Sequence, residues 1–518
     1  MVMERSAQIP LHEKPIYKWL VTTGVIMGTF IYAMDVAIVN VALPHIMANF
    51  GMNLDKGQWV ATAYMLTMAI MMPSTGWLGA KLGHRTLYAV SLAVFTTSSI
   101  LCGLSWSGNS IIVFRAIQGL GGGAILPIAM VIFYDVFPEE QRGLAMGIFA
   151  LGSIMGPALG PVVGGYLTDE INWRLIFFIN VPFGVTGLLM TLLIMKETRP
   201  PVSRRLDIPG LIFLSLSLGS LLILLSKGHQ ESWLRSDYIR NLFIIFAGSL
   251  AAFIVTEIKT KQPFVEIQLF KNFMYSNATI LSAVLGIGYY GSAYIVPIYL
   301  QKILPYTAFR AGIIMLPGAL LFGAFLFTTG VLTGKVSPRL MVITGILVFS
   351  TGIYWLSYVS LQTTESTIVW MLNLRGIGLG LIFTPLMTLA LFSLPVEQVS
   401  MGSGLFNVTR YIGGMFGIAV ISTLVERREL IHVATYSEHQ TYSSLATSTF
   451  LHHGEALFRS MGDTIGTAGL KSLALLNKMV VAERLLAAFS DVYLILGLIS
   501  LSCIIPALML RAKKVAAD

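Results

Sequence analysis

The chain has 518 residues, 55% of them hydrophobic and only 11% charged, with a mean hydropathy of +0.77. Soluble domains carry about 25% charged residues, so this composition excludes an ordinary soluble enzyme and fits an all-α polytopic membrane protein. The formal charge of +9 does not point to nucleic acid, because the basic residues sit in short joints between apolar runs.

A helix needs about 20 apolar residues to cross a bilayer, and fourteen spans are predicted on that basis. Residues 1–15 are polar and lead into a first apolar run too long for a signal-peptide core, with no small-residue cleavage site. The first six spans fall near 17–43, 57–77, 86–106, 110–134, 143–168 and 174–195. Two follow near 208–226 and 239–257. The last six fall near 275–300, 309–332, 340–360, 367–394, 401–425 and 484–510. Cys102 and Cys503 lie inside spans, so no disulfide framework is expected. Short cytoplasmic loops carry an excess of Lys and Arg. With the N-terminus inside, the inner segments hold 18 such residues and the outer ones 7, which predicts cytoplasmic termini and places 426–483 outside.

The chain repeats itself. Pro138-Glu139-Glu140-Gln141 through Met146-Gly147 aligns with Pro395-Val396-Glu397-Gln398 through Met401-Gly402 at an offset of 257 residues. Pro127 aligns with Pro385 and Arg115 with Arg375 at nearly the same offset. Duplicated membrane halves are how many secondary transporters build a site between two rocking bundles. The expected organisation is a six-helix bundle over 1–200, two inserted helices over 201–262, and a second six-helix bundle over 263–518. The outer loop 426–483 belongs to that second bundle. It is rich in His, Ser, Thr and Ala, and reads equally as a partly folded solvated loop or a partner-docking element.

In the first predicted span, Asp35 is the only carboxylate well inside an apolar run of the first half. An ionisable group there is costly and so functional by default. It is a candidate to take a proton on one side and release it on the other, against the alternative of static pairing with an arginine. Asn40, five residues on, falls on a different helix face. Between spans two and three, Gly76-Trp77-Leu78-Gly79-Ala80-Lys81-Leu82-Gly83-His84-Arg85 makes a tight basic turn, with a counterpart from Gly330 to Arg339. Span four opens Arg115-Ala116-Ile117-Gln118-Gly119. An arginine there costs roughly 2.5–3.5 kcal/mol on insertion scales, so it needs a partner or a wet cavity. Span five carries Gly152, Gly156-Pro157 and Gly160-Pro161. The glycines flatten one face, and the prolines remove backbone donors and bend the helix.

These stretches resemble the major facilitator superfamily. The loop after span two resembles its loop 2–3 signature, although Ala80 stands where the superfamily usually has an acid, and Gly334 stands there in the second copy. The Arg115 segment resembles its helix 4 motif, which implies a part in proton transfer for Arg115 beside Asp35. The paired Gly-Pro steps of span five match its antiporter motif, which marks drug exporters rather than importers. Asp35 to Pro44, Gln58-Trp59-Val60 with Tyr64, Trp173-Arg174 and Phe177 to Pro182 all look like the fourteen-helix drug:proton antiporters of EmrB/QacA type. So do Leu300-Gln301 with Ala311-Gly312, and Asn407 to Arg410 with Gly413-Gly414. The resemblance covers almost the whole chain and is nearest to EmrB-like multidrug exporters.

What the resemblance implies is a proton-coupled antiporter exporting amphiphilic toxic compounds across the cytoplasmic membrane by alternating access. Asp35 and Arg115 would couple the proton. Asn40, Tyr64, Gln118, Phe149, Tyr290, Tyr294, Asn373, Arg375, Asn407 and Arg410 would line the substrate cavity. Gly76, Gly83, Arg85, Gly152, Gly156, Pro157, Gly160 and Pro161 would serve the conformational change. No cofactor, metal or enzyme activity is expected, and no Walker-type loop is present in the sequence. Candidate partners are small amphiphiles, protons, lipids, and a periplasmic adaptor with an outer-membrane channel. The later helices lack mid-span carboxylates, which favours neutral, singly cationic or anionic substrates over divalent cations. Two other readings stay open. One is an exporter of a native lipid or fatty acid held by the arginines, and the other is a non-transporting sensor or scaffold.

Overall fold

The computed structural model describes residues 16–138, 141, 156, 159–199, 207–228, 231–260, 267–304, 306–332, 336–439 and 445–510. Phe149, Gly152 and Pro157, and with them most of span five, lie outside the described residues. Among the described residues every regular element is helical.

The first bundle comprises α1 (Tyr17–Phe50), α2 (Leu54–Leu82), α3 (His84–Gly103), α4 (Gly108–Val136), α5 (described over 159–166) and α6 (Leu175–Ile194). Small polar residues set the helix starts: Asn53 accepts from the Lys56 amide at the head of α2, and Ser107 and Ser110 cap each other at the head of α4. Gly51 ends α1 with φ +59°. Pro44 is carried inside α1, which runs two turns past the predicted end of its span.

Next come α7 (Ile208–Lys227) and α8 (Asp237–Lys259), which pack on each other, while α7 also touches α2 and α13. The second bundle holds α9 (Phe273–Lys302), α10 (Ala308–Leu332), α11 (Pro338–Leu356), α12 (Glu365–Leu391) and α13 (Val396–His439). After α14 (Leu445–Ser460), α15 (Ile465–Ser502) returns to that bundle, and α16 (Ile504–Leu508) closes the chain's described part. Twelve described helices are long and apolar enough to cross a membrane. The two further predicted spans are α2, whose ends carry Asp55, Lys56 and Lys81, and the partly described α5.

The segment predicted as an outer loop is largely helical. At 44 residues α13 measures about 66 Å, more than twice the roughly 30 Å hydrocarbon core. Its last turns, α14 and the first half of α15 therefore stand beyond the membrane, with α14 packed on α15. There the Ser472 hydroxyl donates to the Leu451 carbonyl beside Gly454, whose missing side chain makes the room.

Hydrogen bonds join the two bundles at the end where α1 finishes and α2 begins. Asp169 accepts from the Ala308 and Phe309 amides and so caps α10 from the opposite bundle. Gln301 donates to the Val41 carbonyl at 2.8 Å, and Ser422 donates to Gln58 Oε1 at 2.7 Å. The Glu426 carboxylate accepts from the Asp55 amide at 3.0 Å, and the Tyr294 hydroxyl donates to the Leu54 carbonyl at 3.3 Å. Deeper in, the Tyr32 and Tyr411 hydroxyls bond to each other across the interface.

Candidate functional site

Asp35 lies at the middle of α1, 0% exposed, and three side chains converge on its carboxylate. Arg115 Nη1 donates to Oδ2 at 2.5 Å, Gln118 Nε2 to Oδ1 at 3.0 Å, and Asn180 Nδ2 to Oδ1 at 3.2 Å. Arg115, 1% exposed, spends its other donors on the Val60 carbonyl and on Gln118 Oε1. Its guanidinium stacks 4.0 Å from the Tyr64 ring. Asn180 is itself held by Ser99, which donates to the Phe177 carbonyl where α6 is interrupted. Five helices therefore supply one network, and a buried ion pair of this kind persists only when its remaining donors are satisfied.

The network depends on close helix approach. A Cβ on Gly119 would fall 2.3 Å from the Tyr64 carbonyl oxygen, and one on Gly121 2.7 Å from the Phe95 amide nitrogen. Glycine there brings α4 against α2 and α3 and aims Arg115 and Gln118 inward. On α5, a Cβ on Gly156 would fall 2.5 Å from the Met34 nitrogen, and one on Gly160 3.0 Å from Ala37 Cβ. The flat glycine face thus presses on the turn of α1 that carries Asp35. Further along, Gly165 meets the Ala308 carbonyl and Gly312 the Pro161 carbonyl, so α5 also touches α10 across the bundle interface.

A cavity of ≈ 70 Å³ lies between the bundles. Ala37, Asn40 and Pro161 face it from the first bundle, and Tyr289, Phe322 and Arg375 from the second. Asn40 bonds to its own helix at the Val36 carbonyl and does not reach Asp35. Arg375 donates from Nε to the Ser292 hydroxyl at 2.8 Å. Arg410 sits 4.9 Å from the Phe383 ring, with its Nε buried and without a partner. The Tyr290 ring meets that of Tyr411 at 5.6 Å, tilted by 38°. The structure places the other residues expected at the cavity elsewhere: Tyr64 and Gln118 in the Asp35 network, Tyr294 at the sealed end. Asn407 bonds to the Ser403 carbonyl of its own helix, and the Asn373 side-chain oxygen is buried without a partner.

One alignment changes. Gly376 packs on the Gly318 carbonyl of α10 as Gly119 packs on the Tyr64 carbonyl of α2. Gly376 lies 257 residues after Gly119, the offset of the main repeat, so Arg375 takes the place of Gln118. Arg115 instead corresponds to Leu372. Matching arginine to arginine puts the two copies one helical turn out of step.

The turn between α2 and α3 holds acids that its own sequence lacks. Gly83 has φ +91° and a Cβ there would meet Glu197, whose carboxylate accepts from the Arg85 and Thr86 amides. Arg85 donates to the Thr191 and Leu192 carbonyls at the end of α6. His84 reaches Asp135 at 3.1 Å. By contrast, nothing lies within 4 Å of where a Gly76 side chain would be.

Two bundles of membrane-length helices, the first built around a buried ion pair and the two enclosing a cavity between them, define a multi-pass membrane transporter architecture. The family model of the Major Facilitator Superfamily matches residues 25–418. The chain is 32% identical over 422 residues to the multidrug export protein EmrB of Escherichia coli (strain K12), covering 81% of this chain and 82% of that protein. It is 29% identical over 475 residues to the fatty acid resistance protein FarB of Neisseria gonorrhoeae, covering 92% of both. The crystal structure of a bacterial homologue of the human lysosomal transporter Spinster, inward-facing and occupied, superposes with a TM-score of 0.66. It is 14% identical and covers 96% of this chain and 98% of that one. The chain belongs to the major facilitator superfamily.

Proposed function

We propose that this protein exports amphiphilic compounds by proton-coupled antiport, with Asp35 as the proton-carrying group and Arg115 as its partner. The observation that carries the reading is the sealed network of Asp35, Arg115, Gln118 and Asn180 on the helix against which α5 lays its glycines. Protonating Asp35 removes the negative charge that holds Arg115. Arg115 then has to find another acceptor, and α4 shifts against α1. The glycine contacts of α5 pass that shift to α10 in the other bundle. The similarity to a multidrug export protein and to a fatty acid resistance protein supports outward transport of amphiphiles. With the termini cytoplasmic, as the Lys/Arg bias has them, the hydrogen-bonded end is the outer one and this state opens inward. The extramembrane α13–α14–α15 projection, with Leu457, Met461 and Leu470 exposed, is then the surface for a periplasmic adaptor.

The test is flux into inverted vesicles under an imposed pH gradient, with one cationic and one anionic amphiphile, for wild type and Asp35→Asn. Gradient-driven flux of either reporter in wild type, lost in Asp35→Asn, is the expected result. Flux that stays coupled in the variant overturns the role of Asp35, and flux of neither reporter overturns the exporter reading.

A further inference from the structure

The two bundles are copies whose matched centres differ in charge. Ser292 lies 257 residues after Asp35, in a stretch where Ile295-Val296-Pro297-Ile298 follows as Ile38-Val39-Asn40-Val41 does in the first copy. Arg375 lies 257 residues after Gln118. Where the first bundle makes the Gln118–Asp35 bond, the second makes the Arg375–Ser292 bond. The first pair puts a neutral amide on a carboxylate, whereas the second puts a guanidinium on a hydroxyl. So the second bundle holds a cation where the first holds a closed ion pair, and no carboxylate among the described residues pairs with that cation.

Arg410 repeats the situation on α13. It faces Phe383, which meets Tyr289 at 5.6 Å, and the Tyr289 ring lies 6.0 Å from the Arg375 guanidinium. One aromatic cluster therefore separates two guanidiniums, and among the described residues neither has an ion-pair partner. Asp35, the carboxylate of the opposite bundle, is already consumed by Arg115. The stretch 142–158 contains no Asp or Glu either. Arginine inside a span is expensive, and a cation lining a cavity is stable when an anion visits it. Guanidinium is also the side chain best shaped to take a planar or tetrahedral oxyanion through paired donors.

We propose that the space between the bundles holds an anion site, built by Arg375 with Ser292 and extended by Arg410, that takes the carboxylate, sulfonate or phosphate head of an amphiphile. The cavity of ≈ 70 Å³ beside Arg375 suits a head group, and the Tyr289, Phe322 and Phe383 rings offer the wall for a tail. The proposal rests on the exporter reading for its setting. It adds the substrate's charge and the residues that read it.

The experiment measures binding to the full chain in nanodiscs of zwitterionic lipid, with three probes: decanesulfonate, decyltrimethylammonium and tail-less methanesulfonate. Wild type is expected to bind decanesulfonate at least about tenfold more tightly than either other probe, since a charge-assisted hydrogen bond contributes roughly a tenfold or larger factor. Arg375→Gln should lose that preference and Arg375→Lys keep part of it. Ser292→Asp leaves the arginine in place but gives it an internal counter-ion, and should lose the preference as fully as Arg375→Gln. Equal binding of both decyl probes by wild type, or a Ser292→Asp variant that binds decanesulfonate normally, overturns the anion site. Methanesulfonate bound as tightly as decanesulfonate overturns the amphiphile and leaves a small free anion. Decanesulfonate that binds as expected but is not moved by a pH gradient in proteoliposomes defeats the exporter reading and leaves the site standing. A pumped cation with no sulfonate binding does the reverse.

Discussion

Removing the Asp35 carboxylate leaves a guanidinium stranded, and this shapes what a variant can report. Arg115 is 1% exposed, and uncompensating a buried charge costs about 3–5 kcal/mol. Asp35→Asn should therefore lower the melting temperature in detergent as well as abolish gradient-driven flux, whereas Asp35→Asn with Arg115→Gln should recover stability but not flux. Asn180→Ala removes one of three donors on Asp35 and should cost about 1.5–3 kcal/mol in the same melt, the usual range for a hydrogen bond to a charged group. Asp35 and Arg115 were legible in the sequence because a charge inside an apolar run stands out. Ser99 and the hydrogen bonds of Asn180 were not, since neutral polar residues carry no charge signal and Asn180 registered only as part of a family-like stretch. Glu197 was hidden for a different reason: it lies in a charged joint where any acid looks like solvated surface, yet its carboxylate caps the start of α3.

Helices α4, α5 and α13 show what the glycine patterns are for. Gly413 and Gly417, 257 residues after Gly156 and Gly160, press on α9 at Ala283 and Ile287 as their counterparts press on α1. The periodic small residues made this close packing readable, and Gly156→Val tests it. The added branch meets the α1 backbone at Met34 rather than a side-chain tip, so α1 or α5 has to move. Overpacking of this kind costs about 1–3 kcal/mol. The expected outcome is folded protein with flux reduced at least severalfold, read from vesicle uptake normalised to the amount inserted. Gly76→Ala, at a position open for 4 Å around, should leave both unchanged in this state. The lengths of α13 and α15 escaped the sequence reading because hydropathy stops at the membrane surface, while the helices continue past it. The register of Arg375 escaped it because the eye pairs like with like. The glycine contacts of α12, which repeat at a constant offset, are the better ruler.

At the scale of the whole molecule, the sealed end decides which way the protein faces. The contacts there are of several kinds: a helix cap given by Asp169 to α10, a side-chain bond between Gln58 and Ser422, and a backbone amide of α2 held by Glu426 on α13. The neutral Gln58–Ser422 bond has a net worth of about 1 kcal/mol, and those to the Asp169 and Glu426 carboxylates about 1.5 kcal/mol or more each. Together they amount to a few kcal/mol, enough to populate one state strongly yet small enough for a proton and a substrate to reverse it. A cross-link across that end should therefore arrest the cycle with the site still intact. Cys102 and Cys503 are both buried, so Tyr166→Cys with Phe309→Cys, whose rings meet at 5.8 Å across that end with Tyr166 exposed, supplies the accessible thiols there, and a short reducible bis-thiosulfonate reagent can join them. Joined protein should show flux below about a tenth of the untreated variant, recovering on reduction, while amphiphile binding from the opposite end persists in both forms. Unchanged flux in fully cross-linked protein would mean that this end never opens during transport, and the two bundles would then have to exchange access by some motion other than rocking about the cavity at Arg375.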